Sequence, residues 1–103
     1  MRQAKVFVKG VQAGVLEELK RGTVYVFKYL DEYRGDPVSL TMPTKLKEIR
    51  FEGFPPFFDG VLPEGTMLEG LLRQKKLDKD DLFGQLLVVG ADLVGAVTVS
   101  EMP

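Results

Sequence analysis

The first third of the chain alternates between apolar runs and turn signals in a way that predicts three β-strands. Lys5–Lys9 is a short apolar run that ends before Gly10, and Val11–Leu16 is a second run that Gly14 is expected to bulge. Thr23–Tyr29 is the clearest strand, because β-branched and aromatic residues occupy both of its faces. A strand of that kind is typical of the interior of a sheet. Since neighbours in sequence tend to pair, the simplest topology is an antiparallel meander.

Three further strands are predicted with shorter or weaker patterns. Val38–Met42 alternates apolar and polar residues and should stop at Pro43. Within Thr44–Phe51 the spacing is ambiguous, and the alternation at its end favours a strand. Val94–Ser100 is expected to close the sheet after a turn around Ala91–Asp92.

Leucines at helical spacing predict two helices between the early strands and the last one. The first follows Pro63, which would occupy its first turn unless Thr66 caps it with Glu69 three positions later. The second should run from Asp78 or Lys79 to about Val89, with Asp78 as its cap. The side chains expected in the core are Leu68, Leu71, Leu72, Leu82, Phe83, Leu86 and Leu87.

The order of these elements predicts an α+β fold in a single domain over residues 1–103. We expect a small, mainly antiparallel β-sheet, or a partly open barrel, with two helices.

One stretch, Phe51–Gly65, concentrates four of the seven phenylalanines and three of the six prolines. Its prolines lack N–H donors and favour extended conformation in the residues before them, so we expect a stiff, extended arm. Asp59–Gly60 should form a turn within it. In an extended arm Phe57 and Phe58 would point in opposite directions, with at least one of them in the core. The arm therefore either fills its own domain or presents aromatic groups to a partner.

Composition and charge narrow the function classes. A formal net charge of −1 argues against a free-standing nucleic-acid binder, and no apolar run is long enough to span a membrane. No signal peptide precedes the first strand, and the absence of cysteine removes disulfide and thiol chemistry, so a cytoplasmic location is expected.

The residues needed for catalysis are sparse. The chain has no histidine, and its two serines, Ser39 and Ser100, lie outside any Gly-x-Ser-x-Gly motif. Gly90 to Gly95 has Walker-like spacing, but the lysine that should follow is missing. We therefore predict no catalytic, cofactor-binding or metal-binding residues and no enzymatic activity.

Four segments, in this order and at this spacing, resemble signatures of the N-terminal subdomain of HipA-type serine/threonine kinase toxins. Those signatures read Leu-Ser-Leu-x-Leu-Pro, Phe-Phe-x-x-Leu-Leu-Pro-Glu-Gly and Gly-x-Asp-x-x-Gly-Ala. The resemblance extends over roughly residues 5 to 100. The matching segments are Phe27–Asp31, Pro37–Pro43, Pro56–Gly65 and Phe83–Leu87 followed by Gly90–Val97.

A HipA-type kinase continues for several hundred residues, whereas this sequence stops at Pro103. A free-standing copy of the subdomain resembles HipS-type antitoxins of three-component HipB–HipS–HipT systems. The resemblance implies two partners: a HipT-like kinase toxin that the antitoxin restrains, and a HipB-like protein that supplies DNA binding in a ternary complex. No direct contact with nucleic acid or membrane is expected.

The resemblance also places a contact surface in the second half of the aromatic–proline stretch and at the following helix entry. Free-standing members can carry a tryptophan after Pro-Glu-Gly, where this chain has Thr66, so either another residue such as Met67 anchors the kinase or the contact is wider and flatter. The residues predicted to bind a partner are Phe58, Asp59, Leu62, Pro63, Glu64, Gly65, Thr66 and Met67.

Alternative functions remain open from the sequence. The domain could support a HipA-type kinase without inhibiting it, or it could be a fragment of such a kinase that contacts the DNA-binding partner. An enzyme is the remaining class.

Overall fold

A five-stranded antiparallel sheet forms the framework of the protein. The computed structural model describes residues 1–93 and 95–102, and at Thr66 the backbone alone. The strand order is β4-β3-β2-β1-β5, so the sheet is open with β4 and β5 at its two edges. The strands are β1 (Arg2–Val8), β2 (Val11–Lys20), β3 (Val24–Tyr29), β4 (Glu48–Glu52) and β5 (Val97–Met102).

Helices occupy the connection between the two edge strands. The α+β prediction is confirmed, with an open sheet rather than a barrel and with three α-helices where two were predicted. The helices are α1 (Pro56–Val61), α2 (Gly65–Lys75) and α3 (Leu82–Val89), and a 3₁₀ turn at Gly90–Asp92 follows.

The predicted meander of β1, β2 and β3 is confirmed. A two-residue turn joins β1 to β2, with Lys9 at φ 52° and Gly10 at φ 81°, a conformation that suits the twist of a hairpin. The register shifts beside Gly14, as the sequence suggested, and a Cβ at Gly14 would lie 2.3 Å from the carbonyl oxygen of Lys28. Strand β3 is interior, between β2 and β4.

The hydrophobic core lies between one face of the sheet and the helices. Tyr25 stacks on Phe83 of α3 with 6.1 Å between ring centroids, which joins the interior strand to the helix layer. The strands contribute Ala4, Val6, Leu16, Tyr25, Phe27 and Val99, and the helical segment contributes Phe58, Leu62, Phe83 and Leu86.

The predicted strand Val38–Met42 is wrong. An isolated bridge between Ser39 and Met42 closes a tight turn there instead. Alternation alone favoured a strand, but Val38 and Met42 are buried while Leu40 projects into solvent, so the alternation reflects a turn clamped at both ends.

The predicted helix starts also need correction. Helix α2 is preceded by Glu64 rather than capped by Thr66, and α3 begins at Leu82 with Asp81, not Asp78, as its cap. The Asp81 carboxylate accepts a hydrogen bond from the Gly84 amide at 3.1 Å. Asp78 accepts from the Asp80 amide at 2.9 Å, which makes a local turn that delays the helix.

The last strand begins later than predicted, at Val97, and Val94 lies outside the described residues. The predicted turn at Ala91–Asp92 is present as a 3₁₀ turn. It packs so closely on β5 that a Cβ at Gly90 would lie 2.2 Å from the carbonyl oxygen of Val99.

Candidate partner-binding surface

The aromatic–proline stretch is helical in its middle, which corrects the prediction of an extended arm. Pro55 and Leu62 are extended, as expected, but α1 runs between them from Pro56 to Val61. Pro56 occupies the first helical turn, where its missing N–H needs no partner. The Asp59 amide donates to the Pro55 carbonyl at 3.1 Å, so the pair predicted as a turn lies within the helix.

The helical turn divides its apolar residues between core and surface. Phe58 is completely buried and Phe57 is half-buried, with their rings edge-to-face at 5.2 Å, which confirms that at least one of them is core. Leu62 is also buried. In this conformation Phe58 supports the surface from beneath and does not reach it, whereas Leu62 keeps a small exposed fraction.

Other members of the predicted partner-binding set lie at the surface between α1 and α2. Asp59, Glu64, Gly65 and Met67 are exposed, and Pro63 is half-buried. Met67 is 75% exposed, a large value for an unbranched apolar side chain. Gly65 adopts φ 60°, a left-handed conformation that turns the chain directly into α2.

Helix α2 shows an apolar stripe that the core does not absorb. Leu68, Leu71 and Leu72 were predicted to be core, but they are half-buried and lie outside the main hydrophobic cluster. The periodicity correctly predicted a helix. It could not reveal that the sheet face was already covered by α1 and α3.

Two neighbouring cavities make a continuous apolar groove beside this stripe. They measure about 350 Å³ and about 320 Å³, and they share Pro63, Met67 and Val89. We name this feature the α1–α2 groove, and its two parts are lined by Pro63, Met67, Gly70, Leu71, Gln74 and Val89 and by Val61, Leu62, Pro63, Met67, Val89, Asp92 and Leu93.

The α1–α2 groove brings predicted and unpredicted residues together. Leu62, Pro63 and Met67 were predicted, whereas Val89 and Leu93 arrive from the end of α3 and were assigned no binding role from the sequence. Acidic side chains stand next to this apolar lining, since Asp92 lines the groove and Glu64 is exposed at the entry of α2. The arrangement suits recognition of an apolar group on a partner rather than chemistry on a substrate.

A partly buried ionic cluster holds the start of α3 against the sheet. Arg2 of β1 lies between Glu18 of β2 and Asp81, with an Nε–Oε1 distance of 2.8 Å to Glu18 and an Nη2–Oδ1 distance of 2.8 Å to Asp81. The Tyr25 hydroxyl donates to Glu18 at 3.1 Å. No local sequence pattern predicted this cluster, because its members are far apart along the chain.

The pKa values in the cluster follow from burial and charge. Burial alone would raise the pKa of Glu18, but hydrogen bonds from Arg2, the Gly22 amide and Tyr25 bring it below its ordinary value. The hydrogen bonds from Arg2 lower the pKa of Asp81. Burial, with the neighbouring Glu18 charge, raises the pKa of Tyr25 to about 12. These carboxylates stay ionised as structural partners of Arg2, and Asp81 has a second, more distant partner in Arg21 at 3.7 Å.

A third and larger cavity, of about 610 Å³, lies between the β1–β2 turn and the loop after β3. Lys9 and Asp36 form an exposed ion pair of 2.9 Å at its rim. Glu32 and Arg34 also line it, so its charges balance and favour no ligand of one sign.

Residues 1–93 and 95–102 contain no group of three or more acidic side chains arranged to hold a metal ion. Within the same described ranges, no helix is long and apolar enough to cross a membrane.

Comparison with known proteins identifies the class to which this fold belongs. The sequence profile of the HipA N-terminal domain family matches residues 4–100. A solved structure described as the N-terminal domain of HipA toxin superposes with a TM-score of 0.77 and 30% identity, covering 100% of this chain and 94% of that chain. A protein of Haemophilus influenzae, described as uncharacterized, is 33% identical over 101 residues, which is 98% of this chain and 93% of the relative.

The chain therefore belongs to the HipA N-terminal domain family. The predicted resemblance is confirmed over nearly the whole sequence. The domain is distinct from the catalytic part of a HipA-type kinase, and it is similar to the N-terminal domain of HipA toxin.

Proposed function

We propose that this chain is a HipS-type antitoxin that binds a HipT-like serine/threonine kinase and restrains it. The observation that carries the proposal is the α1–α2 groove, where Met67 is 75% exposed above an apolar lining in the segment that the family motifs mark. An apolar groove with acidic neighbours is suited to a protein partner, and unbranched methionine adapts to irregular pockets.

The mechanism we propose is steric. Asp59, Glu64 and Met67 would contact the kinase near its nucleotide-binding or activation region, while the buried Phe58 keeps α1 fixed beneath them. Since α1 is anchored in the core, the contact surface is ordered before binding and loses little conformational entropy. A HipB-like protein would supply DNA binding in the ternary complex, and the cytoplasm is the expected compartment.

The test is direct binding between this chain and a HipT-like kinase from the same organism. We expect co-elution in size-exclusion chromatography and reduced kinase autophosphorylation when the chain is present. Met67→Asp should weaken binding, because it places a charge against the apolar contact. Val11→Thr is the matched control, since Val11 is also exposed but lies at the β1–β2 turn. Independent elution with unchanged autophosphorylation would show that the proposal is wrong.

A second function is favoured by the solved relative, which is a domain of a toxin. In that case the chain would support a HipA-type kinase without inhibiting it. Growth rescue separates the two functions: an antitoxin relieves kinase toxicity when co-expressed, whereas a non-inhibitory subdomain binds the kinase and gives no rescue.

A further inference from the structure

Leu40 is 95% exposed, the highest value among the large apolar side chains that the structure describes. Single exposed leucines are common on protein surfaces and need no explanation by themselves. Leu40 differs in that it stands at the tip of a turn whose flanking residues, Val38 and Met42, are both buried. The turn is therefore held firmly while its central leucine faces water.

One buried tyrosine fixes both ends of this turn. The Tyr29 hydroxyl accepts a hydrogen bond from the Val38 amide at 2.9 Å and donates its own proton to the Met42 carbonyl. Across the turn, the Met42 amide donates to the Ser39 carbonyl at 3.0 Å. The backbone around Leu40 is consequently ordered before any partner arrives, which lowers the entropic cost of using Leu40 as an anchor.

The same tyrosine also holds the basic part of the connection between β3 and β4. Its backbone amide donates to the Lys47 carbonyl at 2.9 Å. From position 38 to position 48 the charged residues are Lys45, Lys47 and Glu48, all exposed, so two positive charges face one negative charge. Between the two lysines, Leu46 is 48% exposed. The connection therefore presents apolar groups with positive charge beside them.

The charge of this surface is opposite to that of the α1–α2 groove, where Asp92 is the charged residue among the lining residues given above. Two contact surfaces of opposite sign allow a single docking orientation, because reversing the partner would bring like charges together. A partner that covers both surfaces must offer a basic margin to one and an acidic margin to the other.

We propose that Leu40 anchors a second contact to the kinase of the proposed function, in an apolar pocket rimmed by carboxylates. This inference rests on the proposed function and names the chemistry of a second interface. Leu40 supplies the buried apolar contact, while Lys45 and Lys47 pair with the carboxylate rim and fix the orientation.

The test is a binding titration of the HipT-like kinase with the unmodified chain and with Leu40→Ser. Removing a central apolar anchor should weaken binding roughly thirtyfold. Leu40→Met keeps an apolar group of similar size and should stay within about threefold of the unmodified chain. Val11→Thr, at an exposed valine beside the β1–β2 turn, should bind as the unmodified chain does.

Lys45→Glu combined with Lys47→Glu should also weaken binding, and the loss should shrink as salt is added, because screening reduces repulsion between surface charges. A photoreactive p-benzoylphenylalanine at position 40 should crosslink to the kinase. The same group at the exposed position 79 should not.

The two proposals fail in different ways. If the kinase binds the unmodified chain and Leu40→Ser with equal affinity, the second contact is wrong and the proposed function stands. If position 40 crosslinks to another copy of this chain and not to the kinase, the second contact is also wrong. If the unmodified chain does not bind the kinase, both proposals are wrong. Leu40→Ser should melt at the temperature of the unmodified chain, because Leu40 makes little contact with the core.

Discussion

Arg2 donates two hydrogen bonds to Asp81, a residue 79 positions later in the chain, at 2.8 Å from Nη2 and 3.1 Å from Nη1. The other edge of the same guanidinium donates to Glu18, at 2.8 Å from Nε and 3.0 Å from Nη2. Because Asp81 caps α3, one arginine joins the start of the sheet to the start of the helix. This geometry uses the planar fork that distinguishes arginine from lysine.

Arg2→Met should reduce the free energy of unfolding by about 2 kcal/mol, because Glu18 would stay buried without its arginine and Asp81 would keep only the more distant Arg21. This loss is smaller than the loss expected for a fully buried ion pair, because the Arg2 side chain is 29% exposed. Urea unfolding measures the change. Lys79→Met, at an exposed cation, should have an effect below about 0.5 kcal/mol. Equal effects for the two variants would mean that the cluster does not stabilise the fold.

Stability should fall in acid. The pKa values of Glu18 and Asp81 are lowered in the folded protein from ordinary values of 4.5 and 3.8. Their contribution is complete above those ordinary values and is lost as the pH falls through the lower folded pKa values. We expect the urea midpoint to drop below about pH 4, and Arg2→Met should flatten this dependence. A profile that is unchanged in Arg2→Met would contradict the assignment.

Ionisation of Tyr25 should reduce the stability of the fold in alkali. Its pKa is raised from 10.0 to about 12, so the unfolded chain ionises first and the stability is lost as the pH rises from 10 to 12. Tyr25→Phe should reduce this alkaline loss while retaining the stacked ring, and Tyr29 and Tyr33, whose pKa values burial also raises, should retain the rest. The difference between the ultraviolet tyrosinate titrations of the unmodified chain and Tyr25→Phe gives the pKa of Tyr25, and a value near 10 would contradict the prediction.

Two glycines should respond to alanine with opposite signs. Gly90→Ala places a Cβ 2.2 Å from the Val99 carbonyl oxygen, so it should reduce stability by about 2 kcal/mol through overpacking. Gly70 lies within α2 with no atom within 4 Å of its added Cβ, and Gly70→Ala should raise stability by about 0.7 kcal/mol through helix propensity. Thermal unfolding of both variants tests the pair, and a stabilised Gly90→Ala would show that the 3₁₀ turn is not packed on β5.

Tyr29→Phe should loosen the turn that carries Leu40. The variant leaves the Val38 amide and the Met42 carbonyl without their hydroxyl partner, with an expected loss of about 2 kcal/mol. Hydrogen exchange at the Val38 amide should become faster. Tyr25→Phe is the matched control, because it removes one hydroxyl hydrogen bond to Glu18 of β2, outside this loop, and should leave Val38 exchange unchanged.

The two adjacent phenylalanines should differ in their contribution to stability. Phe58→Ala should cost about 4 kcal/mol, because Phe58 is completely buried, whereas Phe57→Ala should cost about 1.5 kcal/mol. Guanidinium unfolding gives both values. Similar losses would contradict the division of α1 into a core face and a surface face.

Much of the sheet could be predicted because strand patterns are local. Thr23–Tyr29 predicted an interior strand and β3 is one, since both faces of that short segment carry apolar residues. The leucine spacing after Pro63 likewise predicted α2, although its bounds moved by a few residues. The family could also be predicted, because its motifs are recognised by their residues and their order along the sequence, without knowledge of tertiary contacts.

The candidate site was less accessible to sequence reasoning. The sequence placed Pro63, Glu64 and Met67 near a helix entry, and the structure has them there, while their role in binding stays a prediction. It also placed Phe58 on the contact surface, where the fold buries it completely, and Leu62, which is largely buried but lines the groove. Exposure depends on which elements pack together, and a local pattern cannot supply that.

The aromatic–proline stretch shows most clearly which features depend on the sequence alone and which depend on tertiary packing. The sequence by itself determined that Pro55 and Leu62 would be extended, since each is constrained by its own ring or by the proline that follows. The tertiary structure decided that the residues between them form α1, because burying Phe58 stabilises a turn too short to form alone. It likewise decided that Arg2 meets Asp81 and that Leu40 faces water. Each depends on packing between residues distant in the chain, and those contacts leave no local pattern in the sequence.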